Sequence, residues 1–130
     1  MIFNESVEDH LSAIENFLAD VYDVVVDFDP LGLDEYWIDD GVVTINDTRP
    51  KQEQLFVLLH EAGHVILRKD TDFKKMCPGG GSSKVGVLQE EILAWEEARK
   101  LGKRLGIELG AEWEIHSRAA IIKYIHWVRT

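Results

Sequence analysis

The chain has 130 residues, enough to bury a hydrophobic core without disulfides or metal staples. Hydrophobic residues make up 45% and charged residues 29%, the balance of an ordinary globular domain rather than a disordered or membrane-spanning chain. A formal net charge of −10 repels phosphate backbones, so direct nucleic-acid binding is not expected and a protein partner fits better.

The first residues, "MIFNESVEDH", lack the basic stretch and apolar core of a secretion signal, and no later run approaches the roughly 18 apolar residues of a membrane span. The expectation is a cytoplasmic protein with one domain over residues 1–130. Residues 1–22 read as an N-terminal amphipathic helix. Val7, Leu11, Ile14, Leu18 and Val21 recur at helical spacing, with Asn4 or Ser6 as the cap. His10 on this helix reads as solvated.

Residues 23–46 read as the sheet. "DVVVDFD" is short and β-branched, closed by Pro30 and Gly32. "EYWIDDGVVTIN" reads as a hairpin with arms Tyr36–Ile38 and Val42–Ile45 and an Asp40-Gly41 turn. Thr48 and Pro50 then open a helix over residues 50–69 that ends near Asp70. Residues 70–87, "DTDFKKMCPGGGSSKVGV", read as a flexible loop of the kind that forms lids or binding segments. Helices follow over 88–105 and 111–129, with Gly106 or Gly110 between them. The order implies an α+β fold, a small antiparallel sheet of about three strands packed against helices.

The chemistry lies in "QLFVLLHEAGHVILRK". From Leu55 to Leu67 the only polar side chains are His60, Glu61 and His64, an H-E-x-x-H pattern. Histidines four residues apart share one helix face and can hold one metal ion through their imidazoles. Glu61 sits one position round the helix and suits a general base toward water activated by that ion. Zn²⁺ suits two imidazoles and a carboxylate. Gly63, lacking a side chain, permits a close approach by another element. The plain alternative, two core histidines with a stray carboxylate, leaves three buried polar groups, each costing roughly 1–3 kcal/mol if unpaired.

A third ligand has to come from elsewhere. Asp70 lacks the glycine turn that would bring it round. In "QEEILAWEEARK", at about 100° per residue, Glu91 falls in the middle of the apolar stripe formed by Leu88, Ala94, Trp95, Ala98 and Leu105. Glu96 and Glu97 fall among the charged residues, and Glu90 falls at the edge as the reserve choice. A carboxylate centred on a core-facing stripe needs a partner; the metal is one candidate, a buried arginine or histidine another.

"LFVLLHEAGHVIL", followed after a loop by Glu91, Ala94, Trp95 and Ala98 as E-x-x-A-W-x-x-A, resembles the ImmA/IrrE-type metallopeptidases over roughly residues 35 to 105. These are gluzincin-like proteins common among phage and mobile elements. The resemblance implies a minimal zincin-like fold and zinc-dependent cleavage of a protein or peptide, with repressor-type regulators as implied substrates. Carried over by position, it makes His60, His64 and Glu91 the zinc ligands and Glu61 the base. Two features depart from the family. Arg68 stands where members often have a further histidine, and this length leaves no room for the helix-turn-helix or sensor domain that some carry. A second reading keeps the metal but makes the protein a weak or inactive binding module, its fourth metal position closed by a residue such as Cys77.

No residue announces itself as the donor for a peptide oxyanion. Tyr124, among Trp113, Ala120, Ile121, Trp127 and Val128, reads as a core tyrosine, and His116 and His126 as solvated unless the last helix packs by its other side. Cys77, the single cysteine, reads as an inert or exposed thiol. Lys74, Lys75 and Lys84 read as a solvated basic cluster or a contact for an acidic partner. Val42–Asn46 is expected to be the exposed edge that aligns a substrate strand. The oligomeric state is not set by any of these features.

Overall fold

The computed structural model of the protein describes residues 6–78 and 83–130. Asn4, the alternative cap, and residues 79–82 of the glycine-rich segment lie outside the described residues. The first helix, α1 (Val7–Tyr22), is capped by Ser6, whose hydroxyl accepts from the Asp9 amide while Asp9 returns a bond to the Ser6 amide. Leu11, Ile14, Leu18 and Tyr22 form its buried stripe, whereas Val21 is exposed, one position off that face. Asp23 ends the helix in the left-handed conformation, which a short polar side chain tolerates.

Strands β1 (Val25–Phe28), β2 (Glu35–Trp37) and β3 (Val42–Ile45) follow. β2 and β3 form the expected hairpin, closed through Gly41 at φ 65°, where the Gly41 amide donates to the Trp37 carbonyl at 3.0 Å. The sheet is mixed rather than antiparallel: its order is β1-β3-β2, with β1 parallel to β3. Parallel neighbours normally need a long crossover. Here β2 carries the chain back down before β3 inserts beside β1, so none is required. The insertion also overturns the expected edge, because β3 is central and β1 and β2 are the outer strands.

Val26, Tyr36, Val43 and Ile45 face inward on the sheet. They pack with α1 against α2 (Lys51–Asp70), whose Leu55, Phe56, Leu58, Leu59, Ala62, Val65, Ile66 and Leu67 are all buried. A helix apolar nearly all round must be enclosed, and α2 is, by α1, the sheet and α4. Each fully buried leucine contributes roughly 1.5–3 kcal/mol. Gln54 adds a polar anchor at the helix start, its amide donating to the Asp47 and Arg49 carbonyls at 3.2 and 2.7 Å.

The segment after α2 contains a one-turn helix, α3 (Phe73–Met76), and α4 (Lys84–Arg104) begins four residues before Leu88. Ser83 explains the early start: its hydroxyl accepts from the Gly86 amide as an N-cap. The last helix, α5 (Gly110–Val128), packs on α4.

Candidate metal centre

On α2, Val57, His60, Glu61, His64 and Arg68 fall on one stripe and line the floor of a cleft of about 420 Å³. Ligand atoms of His60, Glu61 and His64 all lie within 4.8 Å of one another. The imidazole Nε2 atoms of His60 and His64 stand 3.2 Å apart. Trp95 stacks flat on His60, with ring centroids 4.0 Å apart and an interplanar angle of 9°. That contact fixes the imidazole plane and is worth roughly 0.5–1.5 kcal/mol beyond its buried area.

The crossing of α2 and α4 completes the constellation. A Cβ on Gly63 would collide with the Ala94 carbonyl oxygen and stand 2.9 Å from its carbon, so only glycine admits this approach. The crossing carries Glu91 onto both histidines, Oε2 at 2.8 Å from His60 Nε2 and Oε1 at 3.1 Å from His64 Nε2. Glu91 is buried among Ala94, Trp95 and Ala98, as its central place on the apolar stripe implies.

Donors about 2.0–2.1 Å from one ion in a tetrahedron stand about 3.3 Å from each other. The imidazoles stand 3.2 Å apart, close to that figure, and the two Glu91 oxygens stand somewhat nearer, Oε2 at 2.8 Å from His60 and Oε1 at 3.1 Å from His64. Glu91 Oε2 is also buried with no hydrogen bond of proper geometry, the mark of an oxygen meant for another partner. Two imidazoles and this carboxylate could therefore hold zinc. Without an ion the groups neutralise one another. Burial favours neutral forms, but the Glu90 and Glu91 carboxylates outweigh it and push His64 up to about 10. Burial likewise works against charge on Glu91, and the His60 and His64 rings close beside its carboxylate hold it down at about 2.

Glu90, the reserve ligand, does something else. Its carboxylate takes a bidentate pair from Arg68, Nη2 to Oε1 at 2.7 Å and Nε to Oε2 at 3.1 Å, and meets His64 Nδ1 at 2.9 Å. Asp70, the weaker candidate, accepts from the Tyr22 hydroxyl at the end of α2 and does not line the cleft.

Two further elements wall the cleft. Asp34, Glu35, Tyr36 and Ile38 come from β2 and its flanks. His116, Ala120 and Tyr124 come from α5 at helical spacing. Tyr124 thus lines the cleft and is not a core tyrosine. Burial and the negative field of Glu91 and Glu61 push its phenol up to about 12, so it stays an O–H donor. His116 is half-buried beside Phe56 and Trp95 rather than solvated, and burial lowers its pKa. His126 is exposed as expected. The spacing of 116, 120 and 124 was visible in the sequence, but the face α5 turns inward was not.

Cys77 is buried, not exposed, and burial pushes its thiol pKa up, the inert case. The three lysines do not act as one cluster. Lys84 donates to the Thr130 and Trp127 carbonyls at 3.0 and 3.4 Å and caps the C-terminus of α5, while Lys75 lies 3.8 Å from Asp72.

A mixed α+β fold with an H-E-x-x-H helix under an open cleft presents a His/Glu group that could hold a metal. The model of the IrrE N-terminal-like domain, peptidase M78, matches residues 5–79, more than half of the chain, and the protein belongs to that family. The match begins just before α1, earlier than the resemblance suggested, and stops before Glu91. No curated protein and no solved structure matches the chain significantly. Among the described residues no helix is long and apolar enough to cross a membrane.

Proposed function

We propose that the protein is a zinc-dependent metallo-endopeptidase of gluzincin type that hydrolyses a peptide bond in a protein substrate. The resemblance makes a regulatory protein such as a repressor the candidate. One observation carries the reading: His60 Nε2, His64 Nε2 and a Glu91 carboxylate converge at ligand separations, with Glu61 beside them on the floor of an open cleft. His60, His64 and Glu91 would hold the ion. Bound zinc would supply a Lewis acid that polarises a carbonyl and acidifies water.

The remaining steps belong to this chain's residues. Glu61 takes the proton from the attacking water and hands it to the departing amine. The Tyr124 hydroxyl and the His116 ring, both on the α5 wall of the cleft, would donate to the oxyanion that develops on the carbonyl. The outer strand β2 borders the cleft, so it takes over from β3 as the edge beside which a substrate strand would lie. Cys77, the example of a residue that could close the fourth metal position in a binding module, is not among the lining residues, and this supports the catalytic reading.

The test is metal content followed by cleavage. Purified protein is expected to hold one zinc per chain and to cleave a protein substrate. A chelator should stop the cleavage and zinc should restore it. Absence of stoichiometric metal, or cleavage that survives the chelator, defeats the proposal.

A further inference from the structure

The two adjacent carboxylates of α4 divide the His64 ring between them. Glu91 meets Nε2 at 3.1 Å and Glu90 meets Nδ1 at 2.9 Å. We propose that Glu90, locked by Arg68, is a positioning residue that sets the tautomer and the plane of His64 for metal binding. The inference rests on the zinc reading above and assigns no ligand beyond it.

Carboxylates face both ring nitrogens, so once Nε2 gives its lone pair to an ion the one remaining proton of His64 sits on Nδ1, where Glu90 accepts it. That leaves the Nε2 lone pair aimed at the point where His60 Nε2 and Glu91 converge. A metal-binding imidazole needs this tautomer.

Glu90 cannot turn away to do anything else. Arg68 holds both of its oxygens in a planar fork, and Oε2 is shared between Arg68 Nε and His64 Nδ1. The carboxylate is 8% exposed, so its charge needs that guanidinium to be tolerated. Arg68 is held in turn by Phe73 of α3, whose ring centroid lies 4.2 Å from the guanidinium carbon. The path from Phe73 through Arg68 and Glu90 to His64 links α3, α2 and α4. It also gives a use to Arg68, where the sequence departs from the family pattern, and to the short helix that replaces part of the expected loop. An isolated Glu90–Arg68 ion pair would need only two of these contacts. The shared Oε2 makes the histidine part of the same unit.

Zinc affinity measures the effect without reference to catalysis. Competition with a chromophoric chelator is run on the full chain and on Glu90→Gln, with melting of the metal-free proteins to monitor folding. The native chain is expected to bind one zinc. Glu90→Gln should still bind one, about 10- to 100-fold more weakly. In the zinc-loaded native protein the His64 Nδ1–H should give a downfield, slowly exchanging proton resonance that Glu90→Gln moves or removes, while the His60 ring signals stay. Equal affinity with an unmoved His64 resonance overturns the proposal and leaves the zinc reading intact. A native chain that binds no zinc overturns both. If Glu90→Gln does not fold, Arg68→Met is read in the same way, and undiminished zinc affinity in that variant overturns the proposal.

Discussion

The α2–α4 crossing and the α5 wall face each other across one cleft and are built on opposite terms. At the crossing the chemical groups are buried or largely so, and held: His60 by Trp95 and Glu91, His64 by both carboxylates, Glu90 by Arg68. Along α5, His116 and Tyr124 are only half-buried, and Ile115, Ile122 and Ile125 on the same helix are exposed. Groups proposed to hold an ion within tenths of an ångström sit in or beside the core, where packing fixes their rotamers. Groups proposed to meet a substrate sit on the periphery, where access matters more than rigidity.

Four substitutions break or sharpen this contrast. The largest effect is expected at the crossing itself. Glu61→Gln should cut peptide cleavage about 100- to 10,000-fold while zinc content, read by metal analysis, stays at the native level. Unchanged cleavage would remove Glu61 from the chemistry. Tyr124→Phe tests the wall. Steady-state kinetics should show kcat reduced about 100- to 1,000-fold with zinc affinity nearly unchanged. Full retention of kcat would make Tyr124 simple lining.

Gly63→Ala puts a methyl group into the helix crossing. Denaturant unfolding should show a loss of about 1–3 kcal/mol, and the displacement of Glu91 should weaken zinc binding as well. Native stability in this variant would mean that α2 and α4 do not cross as closely as described. The smallest effect is expected on the outer face of α5. Ile122, 50% exposed, should tolerate serine with a change under about 0.5 kcal/mol in the same unfolding experiment. A larger loss would show that this face is covered in solution.

Much of the crossing was legible in the sequence because it follows from helical periodicity. The histidine spacing fixes a shared face on α2, and the place of Glu91 on its apolar stripe demands a partner inside the core. Both follow from local geometry and the cost of burying charge. The same reasoning misplaced Tyr124 and His116. α5 carries apolar residues on more than one face, so periodicity does not say which face packs inward. It also misplaced the substrate edge. Alternation and turn residues reveal three strands, but whether β3 lies outside or between the others depends on long-range pairing.

By itself, then, the sequence determined the main helices and strands (though not α3), the H-E-x-x-H stripe on a buried helix and the need for Glu91 to find a partner. Each of these is a consequence of spacing within a single helix or strand. The tertiary structure alone decided that Gly63 lets α4 come near enough for Glu91 to reach both imidazoles, and that its neighbour Glu90 turns to Arg68 and His64 instead. It alone decided that β2 and α5 wall the cleft. These are distances between segments far apart in the chain. They are set by how the helices and strands pack together, which no local pattern encodes.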